Sequence, residues 1–211
     1  MTNPKAVLFD VDGTILDLHG VVSAMQKACV RIGVREITKD EIYKHIIGKS
    51  VESGFKQILP DSADKAEEFR KAYHAAYKDT TLNLLPGANE TLSELKNKGI
   101  KAAFVTTRTK EINDIFIDKI PLPVDVVVTK DDVNVIKPDP APILMACDKL
   151  NVKPEEAWFV GDHEFDMQGA RNAGCGKAIG ITTGTHRKEE LIRAGANIVI
   201  QKLTDLLRYI E

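Results

Sequence analysis

The sequence predicts an α/β fold built on a parallel sheet, interrupted once by an inserted helical domain. Three observations carry this. Short apolar runs alternate with helix-period segments along most of the 211 residues. Several of those runs are apolar at consecutive positions, as strands covered on both faces are. Between about Leu16 and Leu84, by contrast, only helical patterns occur, over a stretch far too long for a simple βα connection.

In chain order, the first strand is read at 6–9. The insertion follows, spanning 17–83, with helices over 21–32, 39–46 and 65–77. Its hinges fall at 16–18 and at Leu84-Leu85-Pro86-Gly87, where Pro-Gly marks a turn before the next helix. The remainder, 84–211, rejoins 1–16 as one core. Helices over 89–98, 142–150 and 165–173 stop at Gly99, near Asn151 and at Gly174, the usual terminators. Strands are expected at 102–106, 124–128, 158–161, 178–181 and 198–200.

Composition sets the boundaries. A hydrophobic content of 43% with 28% charged residues is ordinary for a globular chain, and the length suffices for a core without disulfides or structural metal. The net charge of −2 gives no reason to expect nucleic acid or an anionic membrane as partner, and no obligatory protein partner is evident. Cys29, Cys147 and Cys175 are isolated and lack metal-ligand spacing, which suits thiols in a reducing compartment. No apolar run reaches the roughly 18 residues of a membrane span. The first strand follows the N-terminus without a basic segment and apolar h-region. A cytoplasmic protein is expected.

Open parallel sheets bind ligands beyond the carboxyl ends of their strands. The first strand ends in "VLFDVDGT", which supplies Asp10 and Asp12; Thr106 ends the second. Lys137 lies in "VIKPDPAP", the loop after the third, and Gly161-Asp162 ends the fourth, with Asp166 one helical turn on. Each alone has a plain explanation. Asp-x-Asp-Gly is turn chemistry, Lys137 a solvated loop lysine, Thr106 a strand-end residue and Gly161-Asp162 a helix cap. A calcium loop is excluded because its sixth and twelfth positions would be Ile15 and Val21. A nucleotide P-loop at Gly48-Lys49-Ser50 is excluded because position 43 is Tyr. Taken together, the strand-end residues converge on one edge of the sheet.

"DVDGT", a strand-end Thr, Lys-Pro and "GDHEFD" together resemble the four-motif signature of the haloacid dehalogenase superfamily, from Lys5 to about Gly184. "KPDPAP" and "FVGDHEFDMQGARNAG" are most similar to its phosphoglycolate-phosphatase-like members. The resemblance implies a Rossmann-like three-layer core with a helical cap inserted after the first motif. It also implies a Mg²⁺-dependent phosphatase acting on a small phosphorylated metabolite, 2-phosphoglycolate being the named candidate. Phosphate monoesters are so inert that enzymes accelerate their hydrolysis by up to ~10²¹-fold, about 28 kcal/mol. By resemblance, Asp10 is the nucleophile that divides the reaction through an aspartyl-phosphate, and Asp12 protonates the leaving oxygen and then deprotonates water. Mg²⁺ would be held by Asp10, the backbone carbonyl of Asp12 and Asp162, with Asp166 contacting it through water or orienting Lys137. Thr106 and the backbone N–H of Thr107 would bind phosphate oxygens, and Lys137 would neutralise charge. Gly13 would let the backbone turn close to the phosphate.

An acid at Asp12 favours phosphoesters over dehalogenation or phosphonate cleavage. Arg108 and, in the cap, Lys49 are candidate substrate contacts, weighed against surface arginine and solvated lysine. His163 stands where relatives often carry Ser or Thr and is expected either to back the site residues without touching substrate or to be partly exposed. The rival readings are a phosphosugar mutase, a pyrophosphatase, and, in a different class, a catalytically idle partner-binding module.

Overall fold

The computed structural model describes residues 3–210; positions 1–2 and 211, the ends of the expected core segments, lie outside the described residues. Six strands form one parallel sheet: β1 (Ala6–Phe9), β2 (Lys101–Val105), β3 (Val126–Val128), β4 (Ala157–Gly161), β5 (Lys177–Ile181) and β6 (Ile198–Ile200). The spatial order is β3-β2-β1-β4-β5-β6, with Phe9 in register with Phe104 on one side and Val160 on the other. The chain builds outward from β1 to β3, then returns to place β4 on the other flank of β1. The order reverses between β1 and β4, where an open α/β sheet forms its crevice.

Both faces are covered, which explains the uninterrupted apolar strands. Val7 and Phe9 point into one apolar layer with Phe104, Trp158 and Phe116, while Ala6 and Leu8 point into the other with Phe159, Ile143 and Met167. Helices α5 (Ala88–Asn97) and α6 (Lys110–Lys119), with the 3-10 turn Leu203–Tyr209, cover the first face. Helices α7 (Ala141–Leu150), α8 (Glu164–Asn172) and α9 (Lys188–Ala194) cover the second. The expected stops at Gly99, Asn151 and Gly174 all take left-handed backbone.

Residues between β1 and α5 form α1 (His19–Arg31), α2 (Lys39–His45), α3 (Val51–Ile58) and α4 (Ala66–Lys78). These helices have an apolar cluster of their own, centred on Phe55 stacked on Phe69 at 4.4 Å, to which α6 contributes Ile112. Thr38 starts α2 with a reciprocal capping box to Glu41, and Ser50 caps α3. The two chain passages joining this cluster to the sheet run side by side: Leu85 N–H donates to Ile15 O (2.8 Å) and Asp17 N–H to Asn83 O (3.0 Å). Among the described residues, no helix is long and apolar enough to cross a membrane.

Strands were expected within one or two residues of where they lie. Helices α3, α6 and α9 were not anticipated. In α6 the apolar positions Ile112, Phe116 and their β-branched neighbours fit a helix or a strand until Thr109 is recognised as its cap, accepting from Ile112 N–H at 3.3 Å.

Candidate active site

The register sets the site. Because Phe9, Phe104 and Val160 are aligned, the residues following them emerge together at one sheet edge: Asp10 after β1, Thr106 after β2, and Asp162 after β4. Asp10 N–H donates to Val160 O at 2.9 Å and Thr106 N–H to Val128 O at 2.9 Å, so both strand ends are pinned by their neighbours.

Lys137 arrives from the loop after β3, its chain turned by the cis Lys137–Pro138 peptide bond. The ammonium is buried and donates to Asp10 Oδ1 (2.6 Å) and Val105 O (2.9 Å), and it pairs with Asp166 Oδ1 at 2.7 Å. The other carboxylate oxygen of Asp166 accepts from His163 N–H at 3.0 Å, capping α8. Asp162 accepts from Thr14 Oγ1 (3.2 Å) and from Thr185 N–H (3.0 Å). Gly13 is required here twice over: its φ is +82°, and a Cβ would come within 2.8 Å of the Asp162 carboxyl group. Its N–H donates to Leu16 O at 2.8 Å and its carbonyl accepts from Thr183 Oγ1 at 2.6 Å. The close approach that Gly13 permits is therefore to Asp162.

Asp10, Asp162 and Asp166 each offer an oxygen, all within 4.8 Å of one another. Three buried carboxylates face a single ammonium. Burial pushes Asp10 up from 3.8 to about 7; Lys137 opposes this, while Asp166 and Asp12 add to it. Asp162 is raised well above the ordinary range by burial and then by the charges of Asp10 and Asp166. For Lys137, burial lowers proton affinity, but the attraction of Asp10 and Asp166 outweighs it and the group is shifted upward. The cluster is short of positive charge. All-oxygen donors with a surplus of negative charge suit a hard divalent cation.

Asp12 sits outside this trio. Its carboxylate takes a two-point fork from Arg108, Nε to Oδ2 at 2.8 Å and Nη2 to Oδ1 at 2.5 Å. Two hollows meet at Asp12, Ile47, Gly48 and Thr107. The inner one, tightly filled, is lined by the aspartates, Lys137 and His163. The outer one opens between the helical cluster and α6 and is bordered by Lys49, Arg70, His74 and Arg108.

A protein-family model described as haloacid dehalogenase-like hydrolase matches residues 7–180. The chain belongs to the haloacid dehalogenase-like hydrolases. A pyrophosphatase, PpaX, from Bacillus mycoides (strain KBAB4) is 31% identical over 208 residues, covering 96% of this chain and 95% of the relative. Among solved structures, a haloacid dehalogenase-like family hydrolase from Streptococcus pneumoniae superposes with a TM-score of 0.83 at 27% identity, covering 99% of both chains. A predicted phosphoglycolate phosphatase from Haemophilus somnus 129pt superposes with 0.87 at 22% identity, covering 99% of both, a likeness of fold.

In this haloacid dehalogenase-like hydrolase, Asp10, Asp12, Thr106, Thr107, Lys137, Asp162 and Asp166 all gather at one sheet edge. Arg108 is no surface arginine: it is buried, its backbone N–H on Thr106 Oγ1 at 3.2 Å. Lys49 borders the outer hollow, but its amine donates to Lys44 O at 2.9 Å. Of the two places expected for His163, behind the site or partly exposed, the structure shows the first: it is buried, its N–H on Asp166. It packs edge-on against His186 at 4.2 Å and beneath Gly48, whose added Cβ would meet its ring at 3.2 Å. Nδ1 accepts from Phe165 N–H at 3.1 Å, which leaves Nε2 to carry the ring proton, and burial holds its pKa down at about 4. Sequence reading missed Thr183 and Thr185. The signal was present, since they follow β5 at the same edge as the other strand-end residues.

Proposed function

We propose that this hydrolase is a Mg²⁺-dependent phosphatase that transfers the phosphoryl group of a small phosphorylated metabolite to Asp10 and then to water. The observation that carries the reading is Asp10 itself: a buried strand-end carboxylate with one oxygen on Lys137 and two further carboxylates beside it. Asp10 attacks phosphorus, the ester oxygen leaves with a proton from Asp12, and Asp12 then takes a proton from the water that displaces phosphate from Asp10. Lys137, held by Asp166, offsets the charge that Asp10 and phosphate bring together, and Thr106 with the Thr107 N–H receives phosphate oxygens. Asp10, Asp162 and the Asp12 carbonyl would hold Mg²⁺, with Asp166 contacting it through water or orienting Lys137, and the ion would supply charge neutralisation and alignment of the phosphate.

The helical segment 17–83 acts as a cap over this edge. Its Lys49, with Thr107 from the core, faces the leaving group in the outer hollow, where Arg108 is committed to Asp12; Lys49 would release the Lys44 carbonyl to do so. The three unpaired thiols fit a reducing, cytoplasmic setting.

A second reading, cleavage of inorganic pyrophosphate, is favoured by the PpaX relative. The outer hollow is bordered by apolar Val21, Met25 and Ile112 as well as by cations, which favours an organic ester, 2-phosphoglycolate among the candidates. The test is phosphate release by purified protein with Mg²⁺ across phosphoglycolate, pyrophosphate, hexose phosphates and nucleotides. Turnover of an organic monoester well above pyrophosphate is expected. Preference for pyrophosphate would favour the second reading, and no release from any substrate would overturn both.

A further inference from the structure

The carboxylate of Asp12 is held, and what holds it is itself held from the helical cluster. Arg108 is buried, its side chain 3% exposed, and three of its N–H groups are assigned: two to Asp12, and Nη1 to the Tyr77 hydroxyl at 2.7 Å. Its guanidinium lies 5.2 Å from the Tyr77 ring on α4 and 5.6 Å from the Phe116 ring on α6. The backbone is fixed too, by Thr106 Oγ1 at the N–H and by Lys130 N–H at the carbonyl. Two aromatic rings, a hydroxyl and two backbone bonds leave the fork one orientation.

We propose that Arg108 is a positioning residue for Asp12, and that Tyr77 sets Arg108, so that seating of α4 on α6 fixes the aim of the acid–base carboxylate. The inference rests on the phosphatase reading, in which Asp12 exchanges protons with the leaving group and water. An aspartate in a loop has two side-chain torsions to lose, and a two-point fork removes both. The planar guanidinium does this at low entropic cost because it is already ordered. Carboxylate oxygens together offer about four acceptor sites, so the fork leaves capacity on each for a proton in transit. Stability is a poor alternative explanation, because a buried ion pair contributes little net over apolar residues of equal volume. Misplacement of a catalytic group by about 1 Å can cost 10²-fold in rate.

The experiment compares kcat on an alkyl phosphomonoester, whose leaving oxygen needs a proton, with kcat on p-nitrophenyl phosphate, whose leaving group scarcely does. Tyr77→Phe removes one hydroxyl and keeps the ring; Arg108→Lys keeps the charge and loses the fork. Both should lower the alkyl-to-aryl kcat ratio, Arg108→Lys by about tenfold or more and Tyr77→Phe by less. In an Asp12→Ala background, neither change should lower the ratio further, because all three then act through the same group. A ratio that stays at the parent value in both variants, or losses that add fully to that of Asp12→Ala, would overturn the proposal in favour of simple substrate binding. Absence of phosphate release from either ester by the parent protein would instead remove the phosphatase reading beneath it.

Discussion

Lys137 and Asp10, 127 positions apart in the chain, meet with Nζ 2.6 Å from Oδ1 in a buried pocket at the sheet's edge. The ammonium is the counter-charge that lets the carboxylates of Asp10 and Asp166 share that pocket. Replacing it without removing them leaves buried charge uncompensated. Lys137→Met is therefore expected to abolish turnover and to destabilise the fold by about 3 kcal/mol, read from urea unfolding in EDTA at pH 8. A variant as stable as the parent would show that the carboxylates do not need the ammonium.

Asp10→Asn should behave in the opposite way for stability. The substitution keeps the shape and removes one of three crowded carboxylates, so the metal-free variant should melt no lower than the parent. Turnover should fall at least ~10³-fold, because an amide is no nucleophile towards phosphorus. Near-normal phosphate release would rule out Asp10 as the phosphoryl acceptor.

For Asp12→Ala the loss should depend on the ester. Alkyl phosphates should lose about 10²–10⁴-fold in kcat, the range for removing a positioned acid–base group, and aryl phosphates distinctly less. Equal losses on both would mean that Asp12 does not manage the leaving group's proton.

Burial gives the metal-free protein a defined pH response. Asp10 titrates near 7 in the fold against an ordinary 3.8. Between those values the folded chain binds a proton that the unfolded chain does not, which favours the fold. That contribution is complete below about 3.8 and is lost as pH rises through about 7, so stability in EDTA should decline from pH 6 to pH 8. Mg²⁺ competes with the same proton, so the rise in Tm on adding it should be larger at pH 8 than at pH 6. Scanning calorimetry at both pH values checks the sign, and a Tm indifferent to Mg²⁺ would count against the aspartate trio as a metal site.

Gly13→Ala tests the crowding around Asp162. The positive φ and the 2.8 Å approach to the Asp162 carboxyl both oppose a side chain. We expect a loss of about 1–3 kcal/mol in unfolding free energy, together with a smaller Mg²⁺-induced rise in Tm. An alanine variant with the parent's Mg²⁺ response would separate Gly13 from the metal site.

Much of this was legible in the residues because it depends on strand ends. Asp10, Thr106 and Asp162 each follow an apolar run long enough to be a buried strand, and parallel topology does the rest. Features set by packing between distant helices were not legible. Nothing local to Tyr77 tells that α4 lies against α6, so neither the hydroxyl on Arg108 nor the burial of that arginine could be anticipated. His163 likewise owes its burial to Gly48 and His186, one from each side of the chain's fold. Helix α3 could have been read, since Val51, Phe55 and Ile58 repeat at helical spacing, but Gly54 within it obscures the pattern.

The side-by-side passage of the chain at Ile15–Asp17 and Asn83–Leu85 has a consequence for how such a molecule can change over generations. The departing and returning strands are hydrogen-bonded neighbours, so whatever lies between them starts and ends at the same place. Bringing those ends together costs a longer insertion only slightly more than a short one. Helices there can be lengthened, exchanged or trimmed without shifting any strand of the sheet, so long as Tyr77 keeps its place on Arg108. The two parts of the gene can thereby drift at different rates, tied to each other chiefly where Tyr77 meets Arg108.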